Sequence, residues 1–329
     1  MAIGAFRLPI RKEGGSGFNY TTEIFLSSAD WIKPADLDHI IVLIISAGGG
    51  GMSGRLGAAN THRSGSAGFN PPIMIATFSA TQLNTTEPII IGLGSAGMPA
   101  NTTPDSNAPQ GSFGGTTSFS NAPNGNAILA PAGRCTIGGR NSQITNSSSL
   151  VNLSETRPHS MVFSSFQKEL LSNLNTISDI HRGWRINNYG GIVVTSASQL
   201  SGSIDNSDNY QLDKGVPGYY LANGTIADEL SPVAVGENGR SPNSSLTFGY
   251  LLNRIYPWFD ASNAPQLIGR SGGGGGSGNT AGTINGGNGA PGLGFGANGG
   301  CGGAATNGAA AGAGAPGSDG LAIIINVFK

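Results

Sequence analysis

The sequence predicts a mainly β and irregular fold in which polyglycine-II helices pack with short β-strands, and in which a central insertion carries one short α-helix. Three observations lead there. Glycine supplies 55 of the 329 residues while charged residues supply 11%, about half the usual share for a globular chain, so most of the chain is neither charged surface nor ordinary helix. Four runs, HIIVLII (39–45), PPIMIATF (71–78), EPIIIGL (87–93) and LAIIINVF (321–328), are short and apolar, as buried strands are. Glycine in the last third recurs every third residue, at Gly286, Gly289 and Gly292 and again at Gly314, Gly317 and Gly320. That is the period of a left-handed helix with three residues per turn and no internal hydrogen bonds.

The chain divides into four parts. Residues 1–37 form a polar lead that includes DWIKP, where Trp31 suits an anchor packing the lead against the first strand. Residues 38–139 alternate apolar runs with glycine and polar stretches. Residues 140–268 are poorer in glycine and richer in tyrosine and tryptophan. There Phe166, Leu170, Leu174 and Ile177 line one helical face, with Ser164 and Gln167 placed as a capping box and Gly183 beyond the end. Residues 269–329 are glycine-dense and close on a strand. The opening residues lack the apolar stretch of a signal peptide and no run reaches the length of a membrane span, so synthesis in a cytoplasm and no membrane insertion are expected. A net charge of −1 with no basic stripe speaks against nucleic acid as a partner. Two cysteines, Cys135 and Cys301, are too few for a disulfide framework, and each beside a glycine run suits a small buried thiol.

Gly49, Gly51 and Gly54 fit GxGxxG after an apolar run. A dinucleotide site requires a helix next, to hold the pyrophosphate at its N-terminus, but RLGAANTHRSGSAGFNPP (55–72) is broken by glycine and proline. The acidic ribose partner expected about 20 residues on is replaced by Ile73 to Ile75. No cofactor is expected. Histidines 39, 62, 159 and 181 show no metal-ligand spacing, no metal site is expected, and Asp205 with Asp208 suits turn capping better than a cation. Without a GxSxG elbow or a separated carboxylate pair, the chain is not expected to be an enzyme.

The C-terminal glycine block must find partners for its backbone groups outside each segment. Collagen would do so with three chains in an unbroken register, which fails here at Phe295 and over 301–307; a flexible linker leaves the Ala, Pro, Leu and Phe within the block unexplained. Several glycine helices of one chain, packed side by side, meet the requirement.

The order WIKP, IIVLIISAGGGGMSG, PIIIGLGSAG, GGTTSFS, APAGRCTIGGR, GRSGGGGGSG and GAPGSDGLAIIINVF resembles the glycine-rich domain of bacteriophage tail-fibre proteins. It is also similar to the receptor-binding adhesins at the tip of T-even-type long tail fibres, and covers most of the chain outside 140–268. The resemblance implies packed polyglycine-II helices whose end loops meet the bacterial surface. It implies a virion location, a partner that is an outer-membrane protein or lipopolysaccharide, and contacts with other tail-fibre or tail proteins, attached through the N-terminal segment. Either a homotrimer or a single copy capping the fibre tip fits it. The alternative is a structural fibre subunit or assembly partner without direct receptor binding.

Binding residues concentrate on loops held by rigid scaffolds, and aromatics supply stiff contact area. Segments 52–70, 96–113, 201–226 and 250–266 are the candidates for display, with Tyr219, Tyr220, Arg254, Tyr256, Trp258 and Phe259 as candidate receptor contacts. The aromatics of 250–266 suit a hydrophobic core as well, and the general burial of large aromatics tips them that way.

Overall fold

A computed structural model describes residues 6–8, 19–61, 67–69, 71, 73–108, 112–119, 128–129, 134–137, 184–186, 192–194, 199–200, 203–204, 207, 210–211, 235–241, 247–269 and 271–329. The helix expected over Phe166–Ile177 lies outside them. Among the described residues the structure is mostly strand and irregular, with one α-helix.

In chain order the strands are β1 (Phe6–Leu8), β2 (Asn19–Phe25), β3 (Ala29–Ile32), β4 (Leu37–Ile45), β5 (Leu56–Gly57), β6 (Ala67–Phe69), β7 (Ile73–Ser79), β8 (Thr86–Ile90), β9 (Ser118–Phe119) and β10 (Ile128–Leu129). There follow β11 (Arg134–Ile137), β12 (Trp184–Ile186), β13 (Ile192–Val194), β14 (Gln199–Leu200), β15 (Ser203–Ile204), β16 (Tyr210–Gln211), β17 (Ala305–Thr306) and β18 (Leu321–Phe328). The helix α1 spans Phe248–Ile255. Two antiparallel sheets, β1-β2-β18-β4-β7 and β10-β9-β8-β3, carry the hydrophobic core.

The first sheet is covered on both faces, which is why HIIVLII and LAIIINVF show no alternation. In register, Ile41 faces Ile325, Leu43 faces Ile323 and Ile45 faces Leu321. These side chains pack with Ile73 and Ile75 against Phe248, Leu251, Leu252 and Ile255 of α1. The alternate set, Ile40, Val42, Ile44, Met74, Ala322 and Ile324, packs against Trp31, Ile89 and Phe119 of the second sheet and Ile91 just beyond it. Trp31 is fully buried and its Nε1–H donates to Asn326 Oδ1 at 3.1 Å, so the lead segment is anchored on the last strand.

α1 begins at Thr247, whose Oγ1 accepts the Tyr250 N–H at 3.1 Å, a cap that satisfies one of the orphan donors of a first turn. It ends before Pro257, which cannot continue a helix. Beyond it Tyr256, Trp258 and Phe259 gather around Tyr20, with ring centroids 5.3 Å from Tyr20 to Trp258 and 5.6 Å to Phe259. The Tyr20 hydroxyl accepts from Asp260 N and from Asn263 Nδ2.

The glycine-rich segments leave the ends of these sheets and form two stacked layers. One layer holds, in order, 91–101, 310–320, 285–291 and 235–241; the other holds 112–117, 46–57, 296–306 and 271–279. Hydrogen bonds within and between the layers recur at three-residue steps. Gly320, Gly317, Gly314 and Ala311 donate to the carbonyls of Gly92, Ser95, Met98 and Asn101, while Gly299, Gly302 and Ala305 donate to those of Gly49, Met52 and Arg55. Gly272, Gly275 and Gly278 donate likewise to Asn298, Cys301 and Ala304.

Segment 296–306 is bonded to four others: 46–57, 271–279, 285–291 and 310–320. A β-strand directs its peptide groups to two sides only, so this packing is not a sheet. Every residue of 46–57 and 296–306 is buried. A methyl group at Gly51, Gly303 or Gly312 would overlap the backbone of a neighbouring segment, which is the physical demand that glycine meets.

Four Asn-Gly steps clamp the layers. In each, the asparagine Oδ1 accepts the N–H of one residue in the next segment while the glycine N–H donates to the carbonyl of that same residue. Asn238-Gly239 holds Asn288 in this way, Asn285-Gly286 holds Ala310, Asn288-Gly289 holds Ala313 and Asn298-Gly299 holds Gly49.

Candidate functional site

The layers have two unlike ends. At one end β4 runs into 46–57, β8 into 91–101, 112–117 into β9 and 310–320 into β18, so this end is fixed to the sheets. At the other end the chain turns back through 58–61, 101–108, 279–285 and 306–310. Segments 52–70 and 96–113, chosen from the sequence as display segments, reach that far end in their described parts.

The far-end turns are polar and bonded to one another. Leu56 N donates to Ser106 O, Arg55 Nη1 to Asn107 Oδ1 at 2.6 Å, and Asn307 N to Gly57 O at 2.8 Å. Asp105 is the hinge of the group: its N–H donates to Asn307 Oδ1 at 3.2 Å, and its Oδ1 accepts from Asn307 Nδ2 at 3.0 Å and from Ala58 N at 2.9 Å. Asn101 Oδ1 accepts from Thr103 N and Ser106 Oγ, and Asn279 Oδ1 accepts from Thr283 N and Ile284 N. Asn60 and Asp105 hold the left-handed conformation, with φ of 58° and 54°. For residues with a Cβ that conformation is uncommon, and Asn and Asp tolerate it best. Thr102 to Asp105, Asn107, Thr283 and Ile284 are exposed.

Of the two readings of the 250–266 aromatics, display and hydrophobic core, the core describes Tyr256 and Phe259. Tyr256 and Phe259 are 3% and 1% exposed and belong to the core beside α1, so the expectation that they contact a receptor is corrected: apolar area pressed against Tyr20 and the first sheet is not available to a partner. Trp258 is half-buried against the same core. Arg254 lies on α1 with its side chain outside the described part, and Tyr219 and Tyr220 lie outside the described residues, as does most of 201–226.

A second surface is apolar. Of the seven large hydrophobics exposed among the described residues, Leu26, Ile32, Ile90, Leu93 and Phe113 lie on or beside β3 and β8 and on the adjoining segments 91–101 and 112–117. Ile32 and Ile90 share the outer face of the second sheet, and the Leu93 carbonyl accepts from Gly115 two residues beyond Phe113.

The GxGxxG glycines serve the layers. Gly49 is clamped by Asn298-Gly299, and Gly51 and Gly54 abut the backbone of 300–304. The chain after them continues as extended backbone into β5, with no helix to receive a phosphate. Among the described residues no three His, Cys, Asp or Glu side chains come together as a metal site requires, and no helix is long and apolar enough to cross a membrane. Cys301 is a buried thiol against Met52, outside any disulfide among the described residues. No family model and no curated protein sequence matches this chain.

Proposed function

We propose that this chain is a phage tail-fibre adhesin, a non-enzymatic receptor-binding protein that meets the bacterial surface through the far-end turns of its glycine layers. The carrying observation is the polarity of the block: one end is continuous with the two sheets that carry the hydrophobic core, and the other presents exposed turns over a scaffold bonded in more than one direction. Loops on such a scaffold can vary in sequence without disturbing what holds them.

The block itself we read as polyglycine-II. The three-residue hydrogen-bond step and the four neighbours of 296–306 support it, because a threefold left-handed helix turns successive peptide groups towards different neighbours. High-resolution crystallography decides this: φ and ψ near about −75° and +145° along 296–306 are expected, and values near about −120° and +115° would discard it.

Receptor binding is tested with purified protein on host cells, isolated outer-membrane protein and lipopolysaccharide. Exchange of 102–107 for the same segment of a variant with another host range should change which cells are bound while the melting temperature stays put. Absence of binding at high concentration on every host tested would end the adhesin reading.

The exposed apolar strip supports a second reading, a fibre subunit whose Leu93 and Phe113 meet another fibre protein, since patches of this kind mark interaction surfaces. Leu93→Ser with Phe113→Ser would then abolish co-assembly with fibre proteins and spare cell binding.

A further inference from the structure

Five Asn-Gly steps lie within the described residues, at Asn238, Asn285, Asn288, Asn298 and Asn307. Asn-Gly is the dipeptide in which the glycine nitrogen most readily attacks the preceding side-chain amide, because no Cβ obstructs the approach. In four of the five that nitrogen is engaged: Gly239 N–H donates to Asn288 O at 2.7 Å, Gly286 to Ala310 O at 2.9 Å, Gly289 to Ala313 O at 2.8 Å and Gly299 to Gly49 O at 3.0 Å.

Gly308 differs. It is exposed at the far-end turn, takes a φ of 101°, and its N–H has no hydrogen-bond partner among the described residues. Asn307 resembles the others in its acceptor role, its Oδ1 holding the Asp105 N–H at 3.2 Å, so what sets this step apart is the glycine nitrogen.

We propose that Asn307-Gly308 is a spontaneous deamidation site, and that its modification releases the far-end turns from one another. The Gly308 nitrogen attacks Asn307 Cγ, forming an N–Cγ bond. The Cγ–Nδ2 bond breaks, and the proton of the Gly308 N–H passes through solvent to the departing nitrogen, which leaves as ammonia. Water then opens the resulting succinimide at either carbonyl, giving aspartate or isoaspartate; nothing is oxidised or reduced.

The product loses the Nδ2 donor that Asp105 Oδ1 accepts at 3.0 Å and sets a second carboxylate beside it. Like charges at that distance repel. Asp105 also ties 101–108 to Ala58 N, so the repulsion loosens three turns at once. This chemistry stands independently of the adhesin reading.

The test is incubation of the purified full chain at 37 °C and mildly alkaline pH, followed by peptide mapping of the mass gain and of isoaspartate at each Asn-Gly step. Asn307 should convert at least about tenfold faster than Asn238, Asn285, Asn288 and Asn298, the factor that about 1.4 kcal/mol of local opening imposes on a bonded nitrogen. Conversion at Asn307 no faster than at those four overturns the site. For the consequence, Asn307→Asp should speed proteolytic cleavage within 101–108 while the melting temperature of the sheets is kept, and Asn307→Ser, which adds no charge, should speed it less. Equal cleavage in Asn307→Asp and the parent overturns the release.

Discussion

Asn298 holds Gly49 from 249 positions away: its buried side-chain oxygen accepts the Gly49 N–H at 2.7 Å, and Gly299 donates to the Gly49 carbonyl at 3.0 Å. With Asn298 fully buried, its removal leaves a backbone donor with no water to turn to. Asn298→Ala should therefore cost about 1–3 kcal/mol, the usual penalty of an orphaned buried group. Asn288 makes the same bond to Ala313 at an exposed position, where water can replace it, and Asn288→Ala should cost less than about 1 kcal/mol. Urea denaturation of the two variants compares them, and equal losses would mean that burial does not govern the clamp.

Glycine at the centre of the block leaves no room for a methyl group. A Cβ at Gly303 would overlap Gly276 O, a backbone atom that cannot rotate aside. Gly303→Ala must spread two segments and break the bonds of Gly303 to Gly287 and Gly312, a loss expected above about 3 kcal/mol, in the range reserved for overpacking and broken networks. Ala100→Ser on the exposed side of 91–101 should stay within about 0.5 kcal/mol. If Gly303→Ala melted with the parent, close backbone packing would not be what the glycines provide.

The contrast between these two features shows what the sequence makes legible. Gly314, Gly317 and Gly320 recur at the interval at which their N–H groups bond to 91–101, so the period could be read directly. The unbroken HIIVLII and LAIIINVF runs likewise announced a sheet covered on both faces. The clamps could not be read, since Asn298 and Gly49 are joined only by the way distant segments stack. For α1 the signal was present: Phe248, Leu251, Leu252 and Ile255 stand at i, i+3, i+4 and i+7 behind a Thr cap. The aromatic cluster that follows it suited display and core alike in the sequence, with the general burial of large aromatics favouring the core, and burial against the first sheet decides for the core. At the far end, Thr102–Asp105 offered only turn residues, and what makes them a surface is the side on which the layers end.

Trp31, Asn326 and Glu23 form a chain of buried polar contacts, with the indole donating to Asn326 Oδ1 and Asn326 Nδ2 donating to Glu23 Oε1 at 2.9 Å. Asn326→Leu keeps the volume but strands the indole N–H and removes a donor from a buried carboxylate, a change expected to cost about 2–5 kcal/mol. Trp31→Phe should be partly redundant with it. In a double-mutant cycle the two losses should fall short of additivity by about 0.5–3 kcal/mol, and strict additivity would show that the lead segment is anchored by packing alone.

Tyr256 gives the core a pH limit on the alkaline side. Burial pushes its phenol up to about 12 from the ordinary 10.0. Because the folded-state value is the higher one, the unfolded chain loses its proton first as pH rises. The contribution of Tyr256 is therefore complete below about pH 10 and is lost progressively towards pH 12. Two pKa units correspond to about 3 kcal/mol, a sizeable part of the stability of an ordinary domain. Tyr256→Phe keeps the ring against Trp258 and removes the proton. Denaturation midpoints of parent and variant, taken from pH 8 to pH 12, should run parallel to pH 10 and then diverge, the parent falling more steeply. Every other group is common to both proteins and cancels in the difference, so curves that stay parallel to pH 12 would place the Tyr256 hydroxyl in contact with water.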